Sequence, residues 1–367
     1  MKLLHSRFHK KKIIKFFKRI FFLISIISLS VILLSCAAPT TKKETELVWP
    51  LPPEEPKIKW VGWLRGSEDV KRESLWGKLV NTILGEKEQS DWLRKPYGVH
   101  ASEGRVFVSD TAIGKVVVFD LKERKFYYIG EGGPGILSKP IGIATDKEGN
   151  IYVTDTDQDR TIVYSKNGEF SHALGKKGQF EQPVGIAVND SLNRVYIIDM
   201  KNHKVQVFSK QGEFLFEFGK RGGEDGEFNF PSNIFIDKQG KVYIADSMNF
   251  RVQIFNEDGK FLSKFGEIGD TPGKFARPKG IAVDSEGHIY VVDAAFNNVQ
   301  IFDQEGQLLL FLGRMGSSPG MFWLPAGMYI DKDDKIYVAD QYNSRINVFQ
   351  YIGKEYKEKQ KNIEETK

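Results

Sequence analysis

The stretch RPKGIAVDSEGHIYVVDAAFNNVQIFD, residues 277–303, decides the architecture. It contains three short apolar segments, Gly280 to Val283, His288 to Asp293 and Val299 to Phe302, and Leu308 to Leu312 follows as a fourth. Val, Ile, Phe and Tyr fill these segments, and turns such as SEG and QEG break them, so the stretch reads as four β-strands in tight succession. The pattern recurs as KPYGVHASEGRVFVSD from Lys95, KPIGIATDKEGNIYVTD from Lys139, QPVGIAVNDSLNRVYIID from Gln182, FPSNIFIDKQGKVYIAD from Phe230 and LPAGMYIDKDDKIYVAD from Leu324. The six openings lie 43 to 48 residues apart. One such unit cannot bury its own faces. Six of them stacked around an axis can, which predicts an all-β, six-bladed propeller of four-stranded blades.

The expected blades are residues 95–138, 139–181, 182–229, 230–276, 277–323 and 324–351, with strands A to D running from the axis outward. The last unit stops after its third strand and passes into a charged tail, 352–367. Ile58 to Leu64 (IKWVGWL) alternates apolar and polar and is the candidate to complete blade six from the N-terminal side, which would protect its open edge. Residues 58–94 thus read as a closing strand plus a short helix. Leu75, Trp76, Leu79, Val80, Ile83 and Leu84 fall at helical spacing, suited to packing on the rim or covering the channel mouth.

The unit resembles the NHL repeat in its Pro-x-Gly-Ile-Ala-Val-Asp opening, its Gly-x-Ile-Tyr-Val-x-Asp second strand and its Asn-x-Arg-Val-Gln-Val-Phe third strand. The resemblance spans residues 95–351. It implies a six-bladed propeller and two kinds of function. NHL-type propellers include binding modules, some for single-stranded RNA. Related propellers include lyases with zinc held by histidines from several blades, and lactonases with a calcium-type site in the channel.

The first 35 residues carry eight basic side chains and no acidic ones, followed by an apolar run from Ile20 to Leu34. That run falls short of the ~20 residues a membrane span needs and reads as a secretory signal. Leu33-Leu34-Ser35-Cys36 resembles the lipobox of bacterial lipoproteins. The resemblance implies cleavage between Ser35 and Cys36, a diacylglycerol thioether on Cys36 and residence in the cell envelope. Ala37 in place of Asp resembles outer-membrane sorting, facing the periplasm. Residues 36–57, polar and Pro-rich, read as the tether. Cys36 is the only cysteine, so once it is acylated no thiol remains for a disulfide, a metal or nucleophilic catalysis. The formal charge of +5 resides in the leader; without it acidic residues outnumber basic ones, which argues against a nucleic-acid partner.

Within the blades, residues that repeat are expected to be scaffold. Asp110, Asp155, Asp199, Asp246, Asp293 and Asp340 each end strand B, where a carboxylate can accept amides of the following loop. The basic residues five positions later follow the same logic. Function is therefore sought where repeats differ. The D–A and B–C loops emerge on one face, and their aromatics Tyr97, Phe250, Phe296, Phe322, Trp323 and Tyr342 are candidate partner-binding residues. His100, Asn233 and Lys279 in strand A are candidate channel residues. His100, His172, His203 and His288 are spread from axis to rim and cannot meet at one zinc ion, so neither a metal nor another cofactor is expected. The combined expectation is a membrane-anchored, non-enzymatic propeller that binds a protein, peptide or glycan. The alternative is a metal-dependent lyase or lactonase-like enzyme with its site in the channel.

Overall fold

The computed structural model describes residues 46–70 and 91–365. Six antiparallel sheets radiate from a common axis, each with strand A innermost and strands B, C and D following outward. In blade five these are Pro278–Val283, Ile289–Asp293, Asn298–Phe302 and Leu308–Leu312. Strands B and C are apolar on both faces because each sheet is covered by a neighbour on either side: every residue of Ile289–Asp293 is buried. Strand D lies on the rim, and Phe261–Phe265 in blade four leaves its three central residues exposed. Burial thus sets the two sequence patterns, a continuous apolar run inside and a mixed one outside.

Six apolar clusters form among the described residues, one at each junction between neighbouring blades. Between blades four and five, Phe302 sits 4.9 Å from the ring of Phe265 and 5.5 Å from that of Phe275. Burying one such phenyl group contributes roughly 1.5–3 kcal/mol. In every blade the register between strands A and B slips just after the opening proline, as between Pro278 and Ile281. The slip turns strand A toward the axis.

Ile58–Leu64 pairs antiparallel with Arg345–Tyr351, from Ile58 opposite Tyr351 to Leu64 opposite Ile346. Part of the stretch read as a tether belongs to the fold. Val48–Trp49 adds a fifth strand outside Ile58–Leu64, and Trp49 meets the edge of Phe349 at 5.7 Å. Besides the apolar side chains of Leu47 to Trp49, the N–H of Lys57 donates to the Trp49 carbonyl at 2.7 Å and that of Trp60 to the Leu47 carbonyl at 2.8 Å. The charged tail carries the helix Lys354–Glu365, held by Lys357 to Glu55 at 2.6 Å, Lys359 to Asp333 at 2.7 Å and Lys59 to the Tyr356 hydroxyl at 2.6 Å. Ser35, Cys36 and the expected helical stretch between Leu75 and Leu84 lie outside the described residues. No helix among the described residues is long and apolar enough to cross a membrane.

Candidate functional site

The repeated aspartates organise the loop end of the propeller. Asp340, fully buried, accepts the N–H of Trp323 at 2.7 Å, Arg345 Nε at 2.7 Å, Asn343 Nδ2 at 2.8 Å and Asn347 Nδ2 at 3.0 Å. Asp110 accepts from Arg94 and Lys95, Asp155 from Ser138 and Lys139, and Asp293 from Ala276 and Arg277. Asp199 and Asp246 accept from Glu181 and Asn229. Each carboxylate thus fastens the loop that precedes its own blade as well as groups in the loop that follows, and only the second set was expected from sequence. Burial pushes the Asp199 and Asp340 carboxyls above their ordinary range, against these partners. The basic residues are also committed within the fold. Arg345 donates to the carbonyls of Ser317, Ser318 and Met321, and Arg251 to those of Gly223, Glu224 and Glu227.

Of the six loop-face aromatics, Phe322 is misassigned as a partner-binding residue. It is fully buried, 5.9 Å from Phe349, and fills the hollow over Gly313. Phe180, Phe228 and Phe275 fill the same hollow over Gly175, Gly219 and Gly266. A glycine with positive φ and a ring a few residues later is a repeated lock of the D–A loop, and the repetition was available in the sequence. Tyr97, Phe250 and Phe296 are half-buried. Phe250 occupies a left-handed position, φ 54°, beside the core shared by blades four and five. Trp323 and Tyr342 are 46% and 54% exposed, with ring centroids 5.7 Å apart and planes inclined by 33°. The Lys95 ammonium lies 5.9 Å from the Tyr342 ring.

One side-chain contact spans the channel on this face. Lys279 of blade five reaches past blade six to Tyr97 of blade one, 3.2 Å from its hydroxyl and 4.8 Å from its ring centroid. Tyr97 packs in turn against the cluster containing buried Ile141 and Val184. Below this contact, five blades carry glycine, at Gly98, Gly142, Gly185, Gly280 and Gly327. A methyl group at Gly98 would overlap the Ile141 carbonyl oxygen, one at Gly142 the Val184 oxygen, and one at Gly327 would come within 2.6 Å of the Tyr97 oxygen. These glycines let the inner strands converge, and Asn233 is the one departure.

Two positions further, blades two, three and five carry Ala144, Ala187 and Ala282, and blades one, four and six carry His100, Phe235 and Tyr329. The three rings gather from blades one, four and six: His100 lies 4.1 Å from Tyr329, and Phe235 6.2 Å from Tyr329. His100 Nε2 shares a hydrogen bond with Thr145 Oγ1 at 2.9 Å, and burial lowers its pKa to about 3. Beside the rings is a cavity of about 220 Å³ that extends from the glycine level to Asp190 at an A–B turn. A second, of about 420 Å³, continues from Phe235 and Tyr329 to the A–B turns of blades four to six. Among the described residues these cavities lead to the A–B turn face, opposite the one singled out from sequence.

The histidines do not converge. His172 Nε2 meets the Lys210 carbonyl at 3.0 Å, His203 Nδ1 accepts the Phe230 N–H at 3.1 Å, and His288 Nδ1 bonds Asp284 Oδ2 at 2.9 Å. No group of three His, Cys, Asp or Glu among the described residues is arranged to hold a metal ion. A second set of structural aspartates was missed: Asp146, Asp237, Asp284 and Asp331 each accept the hydroxyl of the tyrosine six positions on, at 2.8–3.2 Å. That fixed spacing was its signal.

A family model described as a 6-bladed beta-propeller matches residues 180–249, 238–297 and 284–363, together half of the chain, and a beta-propeller repeat matches 126–154. No curated protein matches by sequence. Among solved structures, virginiamycin B lyase from Staphylococcus aureus superposes with a TM-score of 0.52 at 15% identity, over 70% of this chain and 95% of that one. An auxiliary nutrient binding protein from Bacteroides thetaiotaomicron gives 0.57 at 14%, over 72% and 71%. A protein of unknown function from the same organism gives 0.57 at 19%, over 70% of each chain. These likenesses concern the fold. With the family match, the repeat and the closed ring of four-stranded blades together, the chain belongs to the 6-bladed beta-propeller family.

Proposed function

We propose that this chain is a lipid-anchored propeller of the cell envelope that binds a protein, peptide or glycan partner through the loop face, without catalysis. The observation that carries the reading is the Trp323–Tyr342 pair with Lys95 beside it. Two large rings stay exposed on a backbone fixed by Asp340, which holds the N–H of Trp323 itself. Aromatic side chains that are rigid, amphipathic and desolvated on contact are the usual anchors of interfaces. The anchor rests on Ser35 and Cys36. Acyl chains add about 0.8 kcal/mol per buried CH₂, enough for a multiply acylated terminus to remain at a bilayer. The NHL-like repeat and Ala37 fit an envelope protein facing the periplasm.

A photocrosslinking residue at Tyr342 in intact cells should yield a discrete adduct that the same group at Leu262, on the exposed rim, does not. Trp323→Ala should remove that adduct. Identical adducts from both positions, or indifference to Trp323→Ala, would refute the loop face as the binding surface. Cys36→Ser should release the chain from membranes; unchanged membrane association and unchanged size would refute lipidation.

A further inference from the structure

The lumen has properties that the loop-face reading does not use. Asn233 stands where five blades have glycine, and its side chain makes no hydrogen bond to any other described residue. The Tyr329 hydroxyl makes none either, and His100 uses only Nε2. All three line the same 220 Å³ cavity. None of these atoms is sealed away from the cavity, so solvent can satisfy them when it is empty and a ligand's own polar groups can replace that solvent. The cavity exists because blades two and three carry Ala144 and Ala187 at the level where blades one, four and six carry rings, so small methyl groups face an aromatic wall.

The charged side chains of the lumen lie toward its A–B turn end, where Asp237, Asp284, Glu286, Asp331 and Asp334 line the 420 Å³ cavity. In the 220 Å³ cavity Asp190 is the one acidic residue among the described lining residues, and its carboxylate takes Lys210 Nζ at 2.6 Å and the Lys147 N–H at 3.0 Å. The imidazole of His100 stays uncharged at neutral pH because it is buried. Beside the rings, in the 220 Å³ cavity, a charged ligand would give up its hydration without finding an unpaired counter-ion, whereas an uncharged one would not. The Lys279–Tyr97 contact spans the loop side, and the 420 Å³ cavity gives entry from the A–B turn face.

We propose that the lumen is a second binding site, for a small, uncharged, planar molecule bearing hydrogen-bonding groups, stacked on the wall of His100, Tyr329 and Phe235 and bonded to Asn233. The site is independent of any partner on the loop face.

The test uses three probes of one size, benzamide, benzoate and benzylammonium, with the full-length protein purified in detergent and binding read by saturation-transfer NMR. Benzamide should bind the wild type. Benzoate and benzylammonium should bind at least about tenfold more weakly, a difference of about 1.4 kcal/mol. Ala187→Phe, which grafts the residue of blade four into blade three, should fill the cavity and weaken benzamide by a similar factor. Asn233→Gly and Tyr329→Ala restore residues that other blades carry and should weaken benzamide; Asn233→Gly should leave the unfolding midpoint near that of the wild type, whereas Tyr329→Ala, which removes a packed ring, should lower it. Those two variants keep the test valid if Ala187→Phe fails to fold. Absence of benzamide binding to the wild type, equal binding of the charged probes, or unchanged binding to both Asn233→Gly and Tyr329→Ala would overturn the proposal.

Discussion

The loop end of the propeller and its lumen treat polar side chains in opposite ways. At the loop end, Asp340 is buried and has four partners within 3.0 Å, and its neighbour Arg345 spends its remaining donors on loop carbonyls. In the lumen, His100 has one polar partner, and Asn233 and the Tyr329 hydroxyl have none among the described residues. The first set repeats around the ring and the second does not. The difference teaches that repetition here marks polar groups consumed by the fold, and that departure from it marks groups left over for something else.

The comparison is tested hardest by removing a member of the consumed set. Asp340→Ala leaves the Arg345 guanidinium, 3% exposed, without its carboxylate and frees the Trp323 N–H. Burial already raises the Asp340 pKa, so the intact pair is costly to desolvate, but breaking it is costlier still, about 3–5 kcal/mol. Urea unfolding should show that loss, while Asn233→Gly stays within about 1 kcal/mol of wild type. Equal effects at both sites would abolish the distinction.

A smaller effect separates two forms of the same position. Gly98→Ala inserts a methyl group against the Ile141 carbonyl, and backbone cannot yield as a flexible side chain can. Overpacking of this kind costs about 1–3 kcal/mol. In blade four the equivalent position already accepts Asn233, so Asn233→Ala should be nearly neutral in thermal unfolding. If Gly98→Ala is equally neutral, the glycine ring is not a steric requirement.

These contrasts also explain what could be read from sequence. Period, turn residues and the alternation of IKWVGWL define blades and a candidate closing strand, because burial on two faces, on one face, or at an edge imposes different patterns. Val48–Trp49 was not legible, since two residues carry no period. Phe322 was misjudged against Trp323 because adjacent aromatics point to opposite sides, although the glycine-and-ring spacing shared with Phe228 and Phe275 identifies the buried one. Which face of the channel is spanned by a side-chain contact was not legible either. It depends on Lys279 reaching Tyr97 across 182 positions of sequence, a contact between two residues that do not repeat.

Two histidines sharpen the comparison through pH. His100, in the lumen, has a folded pKa of about 3 against 6.5 when unfolded, because burial disfavours its charged form. Its folded value is depressed, so the stability associated with it is complete above about pH 6.5 and is lost progressively as pH falls toward 3. Relative to His100→Ala, the wild type should lose about 2 kcal/mol between about pH 8 and about pH 5. His288, at an A–B turn, has the opposite slope. The Asp284 carboxylate raises its pKa, so its contribution is complete below 6.5 and disappears as pH rises through the raised folded value. Because His288 is partly solvated, that contribution should stay below about 1 kcal/mol. Unfolding midpoints across pH for wild type, His100→Ala and His288→Gln would reveal the two slopes. If His100→Ala changed stability by the same amount at every pH, the lumen histidine would titrate like a solvated one, and the lumen would lose its standing as a compartment that disfavours charge beside the rings, distinct from the turn face below it.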